Sequence, residues 1–334
     1  MKKAVIMLSI SLFVSTSVLN AQNLAIYRLW DLDGWNIGKD VGYISLSDLY
    51  WIYNIYSDNP DSPALPDLTK MKKEDRPYFV LNAKYRARFF SKTLTLETDT
   101  VFIYDYATDV LVSFPVKDMN LVACLNGYAH YGDFQREQHE YHIGFEIDKK
   151  LLVGFSPYYT NALVSIGKEN PFVRGGMEVV VWTKINVTDF PAEKAQINTD
   201  TVFYRKFERG DAFIYEWENF RYFIQEWGYF REHPNGIETV WEPAGRQLLV
   251  IEVRTGNLIA ERVFATSEGL TLVPLDIEGM DSDEYYCPLQ WTGRLFKNTP
   301  PVVFDFLYDS FGCPIITVLG LPQYDIYIRC DNRH

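Results

Sequence analysis

Long apolar runs are missing from this 334-residue chain. The longest, Ala4 to Val14, falls far short of the roughly 20 residues that a membrane-spanning helix needs, and no later segment approaches that length. Positive charge is scarce as well: 32 Lys and Arg stand against 44 Asp and Glu, for a formal net charge of −12. Nucleic acids and anionic membranes are held by lysines and arginines that neutralise phosphates, so neither is expected as a partner. Cysteines number four, and no two stand in the C-x-x-C spacing of a zinc site. There is no phosphate-binding loop, no dinucleotide glycine pattern and no G-x-S-x-G elbow. Gly154-Phe155-Ser156-Pro157-Tyr158 lacks the closing glycine of that elbow and carries a proline. No reaction can therefore be read from a short motif.

What is present begins with a pattern for export. Lys2 and Lys3 precede the apolar run, and small and polar residues follow up to Leu19-Asn20-Ala21, the layout of a secretory signal over residues 1–21. Cleavage before Gln22 removes two lysines and no acid, so −12 becomes −14. No cysteine stands at the cut, so a lipid anchor is not expected. The expected location is the periplasm, the cell surface or the extracellular space, with no transmembrane anchor after cleavage. An oxidising compartment makes Cys124, Cys287, Cys313 and Cys330 disulfide candidates. Four cysteines permit three pairings. Cys313 with Cys330 is the first expectation, since both flank strand-like apolar runs.

Aromatic residues form 16% of the chain and are spread along it, a composition that fits half-buried pleated surfaces. From Met177 to Val187 the odd positions are Met, Val, Val, Thr, Ile and Val, while the even ones include Glu178, Lys184 and Asn186, the alternation of a strand with one buried face. Further strands are expected over Tyr78 to Tyr85, Thr93 to Tyr104, Val110 to Phe114, Leu248 to Arg254 and Tyr324 to Arg329. Thr255-Gly256-Asn257 reads as a hairpin turn. Two segments read as helices. One, near 212–227, places Phe213, Trp217, Phe220, Ile224 and Trp227 on one side, with Gly228 as its stop. The other starts at Ser45 or Ser47 and carries Leu49, Ile52, Tyr53 and Tyr56.

The fold class expected is mainly β, an antiparallel sandwich or open barrel with a few accessory helices. Length points to two domains, 22–190 and 191–334, joined at the proline-containing stretch Asp189 to Asn198. Thr98-Asp99-Thr100-Val101-Phe102 recurs as Thr199-Asp200-Thr201-Val202-Phe203, which raises the alternative of tandem β-rich units.

Three histidines, His130, His139 and His142, lie close together with Asp133, Glu137 and Glu140 among them, residue types that a divalent metal uses. On a strand His139 and His142 would point to opposite faces. No cofactor is expected, and a divalent metal on these histidines is the alternative. Asp31, Asp33 and Asp40 surround an Asp-Gly turn whose spacing departs from a calcium loop. Trp30 and Trp35 flank that turn and are the candidate ligand-binding aromatics. The function expected is a secreted, non-catalytic binding or structural protein whose partner is a glycan or a protein surface. The alternative is an exported hydrolase acting on glycans or peptides, with a carboxylate pair that sequence cannot nominate.

Overall fold

The computed structural model describes residues 24–35, 38–47, 64–126, 141–202, 207–232, 239–280 and 289–331. The expected signal, the helix expected over Leu49 to Tyr56, and His130, His139 and Cys287 lie outside the described residues. The chain is mostly strand with two helices among the described residues, so the mainly β class holds. Chain contacts divide it into two compact units, Leu24–Gly175 with Tyr327–His334, and Gly176–Ile326. The stretch Asp189 to Asn198 falls inside the second of these.

The first unit holds β1 (Ile26–Arg28), β2 (Trp30–Asp31), β3 (Val41–Ser45), β4 (Tyr78–Val80), β5 (Thr100–Asp105), β6 (Val110–Pro115), β7 (Leu121–Leu125), β8 (Tyr141–Asp148) and β9 (Ala162–Gly167). One antiparallel sheet runs β2-β3-β8-β7-β4. A second antiparallel run is β1-β9-β5-β6. Period-two alternation sends Tyr141, Ile143, Phe145 and Ile147 of β8 to one face, where they join Ile103, Val164 and Phe89 in the main core. A fully buried side chain such as Phe145 contributes about 2–3 kcal/mol through the area it removes from water.

Phe89 comes from α1 (Ala83–Lys92). The sequence pattern over Tyr78 to Tyr85 read as one strand, but the strand stops at Val80 and Asn82 starts the helix. The Asn82 side chain accepts hydrogen bonds from the backbone N–H groups of Lys84 and Tyr85, which otherwise have no intrahelical partner. The outer face of β8 carries Gly144, where β3 passes so close that an added methyl would lie 1.8 Å from the carbonyl oxygen of Ile44.

The second unit holds β10 (Met177–Val179), β11 (Val181–Ile185), β12 (Glu208–Trp217), β13 (Phe220–Glu232), β14 (Thr239–Glu252), β15 (Leu258–Ala265), β16 (Leu270–Leu272), β17 (Asp276–Ile277), β18 (Trp291–Gly293), β19 (Val302–Phe304), β20 (Leu307–Asp309) and β21 (Ile315–Val318). Strand β22 (Tyr324–Arg329) matches the expected bounds, and Ile328 and Arg329 pair in parallel with β1. The largest sheet wholly within the unit runs β15-β14-β13-β12-β11-β17.

The helix expected near 212–227 is instead the β12–β13 hairpin. Phe213, Trp217, Tyr222 and Ile224 do share one buried cluster, but they reach it by alternation on two strands joined at Glu218-Asn219. Glu218 adopts φ 47°, a left-handed turn conformation. The β-forming residues between the supposed helix positions, Tyr215 and Phe223 among them, are what the helical count overlooked. The repeated pentapeptide also diverges: Thr100 to Phe102 lie in β5, whereas Thr199–Val202 form the short helix α2.

Cys313 and Cys330 are disulfide-bonded, as the sequence led one to expect. Cys124 is not a disulfide partner. It is free and buried in β7, where loss of solvation pushes its thiol pKa up.

Two outcomes follow for stability. Gly144→Ala is expected to cost about 3 kcal/mol or more in urea unfolding, because backbone faces the added methyl, whereas Gly167→Ala, which meets nothing within 4 Å, shifts the midpoint little. Tyr104, buried in β5, donates to Asp109 Oδ1 at 3.1 Å. Burial first, and then that bond, raise its pKa from 10.0 to about 12. The unfolded chain therefore loses this proton before the folded one does, and stability falls as pH rises from about 10 toward 12. Urea midpoints measured between pH 9 and 11.5 should decline, and Tyr104→Phe should make that decline shallower.

Candidate functional site

His142 is the described member of the histidine cluster. It lies on the outer face of β8, opposite Cys124 of β7, and is buried. Its Nδ1 is 2.7 Å from Asp331 Oδ2, and the Ser45 hydroxyl donates to that same oxygen at 2.5 Å. Beside them, the backbone N–H of Ile143 donates to Ser47 Oγ at 2.6 Å. A serine, a histidine and an aspartate thus meet, but the order is wrong for nucleophilic catalysis. Ser45 gives its proton to the aspartate, and catalysis of that kind needs the imidazole next to the hydroxyl. What the arrangement does is bind Asp331, near the carboxyl end, to the centre of a sheet.

Trp30 sits in β2 with the Arg28 guanidinium 4.4 Å above its ring and packs beside Leu32, Tyr43 and Tyr78. Trp35 closes the 3-10 turn Leu32–Trp35, and its side chain lies outside the described residues. The acidic turn is answered from within the protein, since Lys149 Nζ lies 2.7 Å from Asp31 and 2.5 Å from Asp40. Burial alone would lower the Lys149 pKa; the two carboxylates outweigh that and raise it. Among the described residues no group of three or more His, Cys, Asp or Glu is placed to hold a metal ion.

A cavity of about 380 Å³ in the first unit is lined by Asp118, Asn120, Glu146 and Asp148 with Phe114 and Leu151. Two of its three acids, Glu146 and Asp148, are engaged by the fold. Glu146 accepts from the Tyr78 hydroxyl on one oxygen and from Asn120 Nδ2 at 2.6 Å on the other. Burial, then the bond to Glu146, drive the Tyr78 pKa upward. Asp148 caps the following turn by accepting from the Lys150 N–H at 2.9 Å.

A pair of adjoining rings, one of them exposed, lies elsewhere, at the far end of the β13–β14 hairpin. Two bulges flank β13 there. On β12, Arg209 pairs with Trp227 and Ala212 with Gln225, so one extra residue is inserted. On β14, Gly245 pairs with Trp227 and Pro243 with Gly228, leaving Ala244 extra. A bulge shifts side-chain parity by one, so Trp241, opposite Phe230, shares a face with Gly228 and Glu226. Without the bulge in β14 the indole would point the other way.

Trp241 lies across glycine backbone. A methyl added to Gly210 would come within 2.5 Å of the indole, and one added to Gly228 within 2.8 Å. Phe230 meets Trp241 edge-on, centroids 5.2 Å apart at 66°, and is 60% exposed. One step inward the Glu226–Arg246 ion pair is buried, with Arg246 Nε 3.0 Å from Glu226 Oε1 and Nη1 donating to the Val273 carbonyl. The opposite face carries Arg209 stacked on Trp227 at 5.2 Å, Phe207 stacked on Tyr229, and the Arg231–Glu242 ion pair.

Sequence reasoning missed Phe230 and Trp241 because it ended a helix at Gly228. The signal was there in Tyr229 and Phe230, aromatic residues that fit a strand and continue past the supposed stop. No protein-family model matches the chain, and neither a curated protein nor a solved structure matches it.

The His142–Asp331 pair generates a test. Removing one partner leaves the other buried without its counterpart, so Asp331→Ala and His142→Ala should each lose about 3–5 kcal/mol in urea unfolding. Ser45→Ala, which removes the hydrogen bond to Asp331 together with two longer ones to Ser47 at 3.4 Å, should lose about 2 kcal/mol. A loss below about 1 kcal/mol in Asp331→Ala would refute the anchoring role.

Proposed function

We propose that this chain is an exported, non-catalytic binding protein of the periplasm or cell surface whose ligand contact is the ring surface at the end of the β13–β14 hairpin. The observation that carries the reading is the seating of Trp241 across Gly210 and Gly228 with Phe230 exposed at its edge. Single exposed apolar residues need no explanation, but two adjoining rings braced by backbone are an organised surface. Export is supported by the amino-terminal pattern over residues 1–21 and by the Cys313–Cys330 disulfide, a bond that persists in oxidising compartments. No helix among the described residues is long and apolar enough to cross a membrane.

The alternative, an exported hydrolase, would draw on the carboxylates of the Asp118–Asp148 cavity. Both oxygens of Glu146 there already accept hydrogen bonds from the protein, which favours binding over catalysis.

Two measurements test this reading. The mass of the protein from its native exported fraction should begin at Gln22 and rise by two hydrogens on reduction of the Cys313–Cys330 bond; a chain that retains residues 1–21 contradicts export with cleavage. The double variant Phe230→Ala/Trp241→Ala should keep its thermal midpoint within a few degrees. It should lose retention on the insoluble envelope fraction of the producing cells. Undiminished retention would remove the hairpin end from the role.

A further inference from the structure

Resting on that reading of the hairpin end, we infer that its ligand is an uncharged sugar ring, stacked on Trp241 within a neutral glycan. The indole is half-buried and supported from beneath by two glycines, so it offers a flat apolar surface held in one orientation. Phe230 stands at 66° to it and makes a corner, a shape that takes the C–H face of a saturated ring against one wall and its edge against the other. Glu208, exposed and opposite Gly228 in register, lies on the same face and supplies carboxylate oxygens that accept from hydroxyl groups.

Charge narrows the class. Each described arginine around this end is committed: Arg209 to the Trp227 ring, Arg231 to Glu242, and Arg246 to Glu226. The platform face therefore presents an acid and, among the described residues, no uncommitted cation, on a chain of net charge −12. The Glu208 carboxylate on this face disfavours uronates and sulfated sugars. Area argues against a protein partner. A stable protein interface takes about 800 Å² from each side, whereas two aromatic rings supply at most about 300–500 Å², and most of Trp241 is already covered.

The test is titration of the full-length mature protein with β-1,4-linked hexasaccharides of glucose, mannose and xylose, followed by tryptophan fluorescence and calorimetry, with trigalacturonate as the anionic control. At least one neutral hexasaccharide should bind while trigalacturonate does not. Trp241→Ala should weaken that binding by about tenfold or more, and Trp241→Phe should restore most of it. Gly210→Ala keeps the indole but lifts it from its bed, and should weaken binding several-fold. Absence of binding by all three neutral sugars, equal binding of trigalacturonate, or wild-type affinity in Trp241→Ala would each overturn the inference. If the sugars fail while envelope retention still depends on Phe230 and Trp241, the glycan assignment falls and the contact surface stands. If retention is also independent of both rings, the two fall together.

Discussion

The ladder between β13 and β14 is the constraint on which the second unit depends. It runs from Phe220 opposite Glu252 to Glu232 opposite Thr239, and its inner part sets both buried clusters of this sheet. Tyr222, Ile224, Leu248 and Val250 go to one side, and Phe223, Leu249 and Ile251 to the other. A slip of one residue would exchange those sets, so the register is strongly specified where both faces are buried. Farther out that requirement lapses, and the two bulges around Trp227 change the parity of the outer strands against β13. The same ladder thus buries both faces at one end and leaves Phe230 exposed at the other.

The bulge in β12 leaves backbone carbonyls away from the regular ladder, and the fold answers them with a side chain. Gln225, almost fully buried, donates from Nε2 to the carbonyls of Gly210 and Asp211. Elsewhere in the unit the same principle holds an irregular segment in place. Buried Glu261 accepts from the backbone N–H groups of Gln196 and Ile197 and from Gln247 Nε2. Gln290, with no exposed surface, takes the indole N–H of Trp182 and donates to the Pro274 carbonyl. Polar groups buried without partners cost about 1–3 kcal/mol each, so these amides and carboxylates make the non-repeating backbone tolerable inside a β structure.

How much of this was legible follows from the range of the interactions. β6, β22 and the turn before β15 are local alternations or local turn chemistry, and the sequence shows them. The β12–β13 hairpin was hidden because Phe213, Trp217, Phe220 and Ile224 satisfy a helical count as well as a folded strand pair. The intervening Tyr215 and Phe223 favour strand, but the turn that separates the two readings has its positive φ at Glu218, and a glutamate gives little warning of it. The return of Tyr327–His334 to the first unit was invisible for a different reason. It is fixed by Asp331 meeting His142 and Ser45, contacts that span most of the chain and leave no local periodicity.

That anchor also explains why the residues with the most chemical character do not lead to the proposed contact surface. His142, Asp331 and Glu146 are reactive types, yet each is engaged by partners within the first unit. Desolvating such groups is costly, and the fold recovers the cost only by pairing them, which removes them from contact with a ligand. Phe230 and Trp241 carry no reactive group, and exposing them forfeits burial that would otherwise stabilise the fold. That cost is the physical argument for the proposed contact surface, which is set on two glycines with a buried ion pair one step inward.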